Sequence, residues 1–161
     1  MFNFLKSKLA SEPVNREATA LVEEFAQQET QRYSHKLESF TAGVKYKNAD
    51  SQFQRDVAMA MIAWFERNPR TNYHHRDVKN WQLQWKMRQL FLNMLKYRLP
   101  FSEQDVLAIL NWSLNRTENH TYYYAIPQMI KVIGDYLKEN PISGHLEKAI
   151  DSLISIIEAQ N

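Results

Sequence analysis

The chain has 161 residues, 44% of them hydrophobic and 24% charged, with a formal net charge of +2; this is the composition of a folded domain rather than of a disordered segment. It has no cysteine, which excludes disulfides, thiolate catalysis and cysteine-ligated zinc. With only three glycines and five prolines, little material is left for hairpin turns, and the composition predicts an all-α fold.

Near the N-terminus the apolar cluster of Phe2, Phe4 and Leu5 is interrupted by Lys6 and Lys8. A secretory apolar region takes roughly 7–15 residues and a membrane-spanning helix about 20. Neither is found, so the expectation is a cytoplasmic protein with no membrane span. Residues 2–10 fit a short amphipathic turn docked on its own domain better than a membrane anchor. From Pro13 to about Phe40 runs a polar helical segment marked by Leu21, Val22, Phe25, Tyr33, Leu37 and Phe40, with a solvent-facing middle at Gln27 to Gln31. Gly43 to Asn48 is expected to form a loop.

Ser51 followed by Gln54 matches a capping box. On the helix that follows, Phe53, Val57, Ala60, Met61, Trp64 and Phe65 share one arc opposite Arg55, Asp56, Glu66 and Arg67. Asn68-Pro69 ends it.

Residues 67–98 are the unusual stretch. Arg67, Arg70, Arg76, Lys79, Lys86, Arg88, Lys96 and Arg98 stand against a single acid, Asp77, interleaved with Tyr73, His74, His75, Trp81, Trp85, Phe91 and Tyr97. From about Asp77 to Arg98 the wheel gives two opposed apolar faces, one around Trp81, Trp85 and Leu92, the other around Met87, Leu90 and Met94. That pattern predicts a helix sandwiched between neighbours. Lys79, Lys86, Gln89, Asn93 and Lys96 remain as one polar stripe. Arg88 falls inside the tryptophan face, where a guanidinium must stack on a ring or meet a carboxylate; it is expected to be a buried structural charge.

Ser102 to Asp105 caps the next helix, whose acidic first turn suits the helix dipole. Asn115 to His120 is a polar connection. Ile126, Ile130, Ile133 and Leu137 then recur at i, i+4, i+7 and i+11, with Pro127 in the first turn of the helix. Asn140-Pro141 closes that helix, and Leu146, Ile150, Leu153, Ile154 and Ile157 make the last.

Trp64-Phe65-Glu66-Arg67-Asn68-Pro69 is similar to Tyr136-Leu137-Lys138-Glu139-Asn140-Pro141. From Ser51 onward the helices follow one another across short loops. In that rhythm, residues 50–160 resemble the HEAT and armadillo helical-repeat proteins. The resemblance implies five to seven helices in a short, irregular, right-handed array, the alternative being a compact antiparallel bundle. Residues 1–161 are then a single helical domain, with more polar helices over 1–48 and the repeat-like core over 50–161. It also implies a binding or scaffolding surface; no cofactor is expected.

The residues themselves offer two kinds of site. Lys79, Lys86 and Lys96, with Arg70 and Arg76, form a row able to track phosphates. Placing Trp81 and Trp85 in the core removes the aromatic platform that single-stranded bases need, so a protein partner is favoured over a nucleic acid for this stretch. Tyr122, Tyr123 and Tyr124 spread over about 200° of a helix, leaving at least one ring accessible, and tyrosines suit a partner-facing patch. His74 and His75, being adjacent, cannot ligate one ion from a regular helix, and no metal-ligand spacing occurs. Phosphate loops and the G-x-S-x-G nucleophile turn are absent. The resulting expectation is a non-enzymatic interaction or scaffold module, with a nucleic-acid accessory role through residues 67–98 as the alternative and the oligomeric state open.

Overall fold

The computed structural model of the chain describes residues 15–27, 36–68, 78–114 and 121–159, with the side chains of 78–81 and 121–124 left aside. These residues form seven α-helices and one 3-10 turn, and no strand occurs among them. The all-α expectation holds. The described residues divide at Pro100–Phe101 into two compact units.

In the first unit, α1 (Arg16–Gln27) begins where the Asn15 side-chain oxygen accepts the Ala18 N–H at 3.1 Å. Its buried residues, Ala18, Leu21, Val22 and Phe25, fall at i, i+3, i+4 and i+7, the stripe of a half-buried helix. A 3-10 turn, Leu37–Ser39, leads into α2 (Thr41–Asn48). The expected loop at Gly43 to Asn48 is therefore helix. Gly43 is there for space rather than for a turn: a Cβ built on it would overlap the carbonyl of Leu37. Absence of a side chain lets α2 lie directly against the backbone of the preceding turn.

Helix α3 (Ser51–Arg67) keeps its expected extent, but not its expected cap. The N-cap is Asp50, whose carboxylate accepts the Phe53 N–H at 2.8 Å. Gln54, assigned by pattern to a capping box, instead turns inward and donates to the Tyr46 carbonyl at 2.9 Å, tying α3 to the last turn of α2. Val57, Ala60, Met61, Trp64 and Phe65 are buried as the wheel requires. Asn68 ends the helix with its side-chain amide donating to the Trp64 carbonyl at 2.9 Å. Helix α1 packs most extensively on α3 and also meets α2 and α4 (Val78–Met94). The Gln84 amide donates to the Asn68 carbonyl at 2.6 Å, joining α4 to the end of α3. Tyr46 is fully buried, edge-on to Tyr97 at 5.8 Å. Its hydroxyl has no hydrogen-bond partner, and burial, with a smaller contribution from Tyr97, pushes the phenol above its ordinary ionisation range.

In the second unit, α5 (Glu103–Leu114) opens with a reciprocal cap. Ser102 Oγ accepts the Asp105 N–H at 3.2 Å, and Asp105 Oδ2 accepts the Ser102 N–H at 2.9 Å, as the sequence predicts. Every residue from Asp105 to Ser113 is buried, and α5 packs against both α6 (Thr121–Leu137) and α7 (Gly144–Glu158). Helix α6 begins at Thr121, so Pro127 lies inside it rather than in its first turn. Pro127 is exposed; it lacks the N–H that would meet the Tyr123 carbonyl. Ser143 caps α7, its Oγ accepting the Leu146 N–H at 3.1 Å.

Candidate interaction surface

The lysine row of α4 is not what the wheel suggests. Lys86 is only 5% exposed, and its ammonium sits over the Phe40 ring at 5.4 Å from the centroid. Phe40 is itself buried and packs edge-on against Phe25 at 6.3 Å. The cation is accommodated by the negative face of an aromatic ring and does not project to solvent. The line along which α4 stays partly open runs through Gln82, Trp85, Gln89, Asn93 and Lys96, spaced i, i+3, i+7, i+11 and i+14. It is rotated toward Trp85, which is half-buried rather than fully in the core.

Of the other basic candidates, Lys96 and Arg98 are exposed. Lys79 lies in the first turn of α4, with its side chain outside the described residues; Arg70 and Arg76 lie outside them altogether, as do His74 and His75. Arg88 is 6% exposed, buried as its position on the wheel requires. Tyr122, Tyr123 and Tyr124 belong to the first turn of α6, and their side chains also lie outside the described residues.

The surface that sequence reasoning missed is on α6 and α7. The stripe Ile126, Ile130, Ile133 and Leu137 marks the edge of the α6 core rather than its centre. The buried residues are Ala125, Met129, Val132 and Ile133, while Ile130 is 57% exposed and Leu137 is exposed as well. On α7 the buried face is Leu146, Ala149 and Leu153, and Ile154 stands out at 45% exposure, with Ile150 and Ile157 half-buried beside it. Ile142, just before the cap of α7, is exposed too.

Ile154 has four neighbours on the helix surface, at i−4, i−3, i+3 and i+4. They are Ile150, Asp151, Ile157 and Glu158. At 100° per residue, Glu147, Asp151 and Glu158 lie within about 40° of one another, and Glu147 about 20° from Ile154. All three acids are exposed. None of the three has an ion pair among the described residues. Several acids elsewhere are paired. Glu23 meets Arg67 at 3.3 Å, Glu24 meets Lys45 at 3.0 Å and Glu38 meets Lys47 at 2.6 Å. On α6, Asp135 takes a hydrogen bond from Lys131 at 2.7 Å, which holds its carboxyl below the ordinary carboxylate range. Glu147 and Asp151 are like charges at i and i+4, which costs a helix a few tenths of a kcal/mol. Helix α7 thus carries a protruding isoleucine ridge along an acidic row that has no ion pair among the described residues.

No protein-family model matches the chain, and no curated protein or solved structure matches it either. Among the described residues no group of three or more His, Asp or Glu is placed to hold a metal ion. No helix among them is long and apolar enough to cross a membrane.

Proposed function

We propose that this chain is a non-enzymatic, cytoplasmic protein-interaction module that docks a protein partner on the outer face of α7. The observation that carries the reading is Ile154. A large aliphatic side chain at 45% exposure, continuous with Ile150 and Ile157, keeps in water apolar surface that a partner would cover. Burying an isoleucine completely contributes roughly 1.5–3 kcal/mol, so covering the 45% of Ile154 that stays exposed contributes roughly half of that, with Ile150 and Ile157 adding to it.

The helical-repeat resemblance fits this role. Contacts between a helix and the next but one, as in α1 with α3 and α5 with α7, are compatible with stacked helix pairs and equally with a compact antiparallel bundle. The alternative, a nucleic-acid role for residues 67–98, loses the middle of its lysine row with the burial of Lys86. The test is co-purification of the full chain from the cells that make it. A protein that accompanies the chain, is lost with Ile154→Asp and is kept with Val44→Asp supports the reading. Val44 is equally exposed, at 47%, but lies on α2. If the two variants retain the same set of proteins as the unmodified chain, the α7 face is not the docking site.

A further inference from the structure

The docking reading names a surface; its charge names the class of occupant. We infer that α7 receives an amphipathic helix whose apolar stripe is flanked on one side by a row of lysine or arginine. This inference rests on the docking reading and adds to it the chemistry of the partner.

The argument begins with the geometry of a helix laid along α7. Ile150, Ile154 and Ile157 recur at i, i+4 and i+7, the spacing that meets the ridge of a second helix. The acids recur at 147, 151 and 158, so the row runs beside the ridge for nearly the whole of α7. Any helix seated on the isoleucines lays one flank against that row. An acidic flank would bring like charges together near an excluded-water edge, whereas a basic flank would supply the counter-charges that the described residues of this chain do not. On the other side of the ridge lie the half-buried Ile156 and the buried Leu146, Ala149 and Leu153, which belong to the helix's own core. Lys148 is exposed beyond the acids, about 60° from Asp151 and three residues before it, but forms no ion pair with it among the described residues, and His145 lies on the opposite side of the helix from Ile154. The asymmetry is therefore fixed: apolar centre, acidic on one side only.

A second copy of this α7 does not satisfy the requirement. Two identical faces would bring acidic rows against each other in an antiparallel pair. In a parallel pair each row would face the partner's core side, with no basic group to meet it. The complement must come from a helix of different sequence.

The test uses the purified full chain and two synthetic 18-residue helical peptides with the same leucine stripe, one with lysines along the flank and one with glutamates in the same places. Rim ion pairs contribute about 0.2–1 kcal/mol each, so three of them give the lysine peptide an advantage in Kd of about threefold to about a hundredfold at low salt. That advantage should shrink as the ionic strength rises to about 1 M, where the Debye length is about 3 Å. The triple variant Glu147→Lys, Asp151→Lys, Glu158→Lys should reverse the preference. Ile154→Ser should weaken the lysine peptide about tenfold without changing the salt dependence. All substituted residues are exposed, and an unchanged circular dichroism melt confirms that each variant is folded. Equal binding of both peptides, both weakened by Ile154→Ser, overturns the basic-partner inference and leaves the docking surface standing. Binding of neither peptide, or binding indifferent to Ile154→Ser, overturns both. Self-association of the free chain that Ile154→Ser abolishes makes a second copy the occupant and also overturns the inference.

Discussion

Two glycine-to-alanine substitutions, one in the first turn of α2 and one in the last turn of α6, are expected to change stability in opposite directions. Alanine is the better helix former by about 1 kcal/mol, and on propensity alone Gly43→Ala and Gly134→Ala should both stabilise. Gly134 sits on α6 with nothing within 4 Å of an added Cβ, so its methyl enters open space and the gain of up to about 1 kcal/mol is realised. At Gly43 the new Cβ would overlap the Leu37 carbonyl, which is backbone and not the end of a flexible side chain. Relief requires moving the 3-10 turn that seats Leu37 and Phe40 in the core. Overpacking of this kind costs typically 1–3 kcal/mol, and displacement of Phe40 adds to it by loosening its contacts with Phe25 and Lys86. After subtracting the propensity gain, the expected net loss is about 2 kcal/mol. With a urea m-value near 2 kcal/mol/M, the unfolding midpoint should fall by about 1 M, followed by circular dichroism at 222 nm. A midpoint for Gly43→Ala at or above that of the parent chain would refute the account of why α2 lies where it does.

Asp50→Ala should cost about 1 kcal/mol through loss of the α3 cap, while Ser51→Ala should be within about 0.5 kcal/mol of neutral; urea midpoints of the two variants decide between the observed cap and the one the sequence pattern suggests. Tyr46→Phe removes a buried hydroxyl without a partner, and it should leave stability unchanged or raise it by up to about 1 kcal/mol. The Tyr46 phenol is raised in the folded chain, so the unfolded chain ionises first as pH climbs through about 10. The stability present below that value is lost above it, and the loss should be smaller in Tyr46→Phe when melting temperatures are compared between pH 8 and 11. Lys86→Ala should lower the melting temperature by a few degrees because it removes a buried cation–π contact with Phe40, whereas the exposed Lys96→Ala should not move it measurably.

The features that local chemistry controls were legible in the sequence. The Ser102/Asp105 cap, the buried arc of α3, the Asn68 stop and the burial of Arg88 all follow from periodicity and spacing over a few residues. Features set by packing between elements were not. Gly43 in a polar stretch has the look of a loop residue until the turn lying against it is known. Asp50 and Ser51 are both good N-caps, and Gln54 completes a capping box on paper; its capture by the Tyr46 carbonyl depends on where α2 ends. Lys86 lies at the margin of a polar stripe on the wheel, and the presence of Phe40 above it, from a segment 46 residues earlier in the chain, moves it inside. The isoleucine stripe of α6 was visible, but a wheel cannot say whether a stripe marks the centre or the rim of a core. That depends on where α5 lies, and with α5 against Ala125, Met129 and Val132 the stripe becomes the rim. The α7 surface shares this property, since Ile154 is one of five apolar positions with helical spacing and only its neighbours show that it stays outside. A signal for it did exist in the sequence: Glu147, Asp151 and Glu158 share one line bordering the isoleucines.

The central claim is that a protein partner covers the acid-bordered ridge of α7. Its most direct measurement is site-specific photo-crosslinking in the cells that make the chain, with the photoreactive residue placed at Ile154 or, on the same helix, at the exposed Ser152 about 160° away. A discrete protein adduct at position 154 that is absent at 152 is the predicted result. Adducts of equal yield at both positions, or none at 154, would contradict the claim.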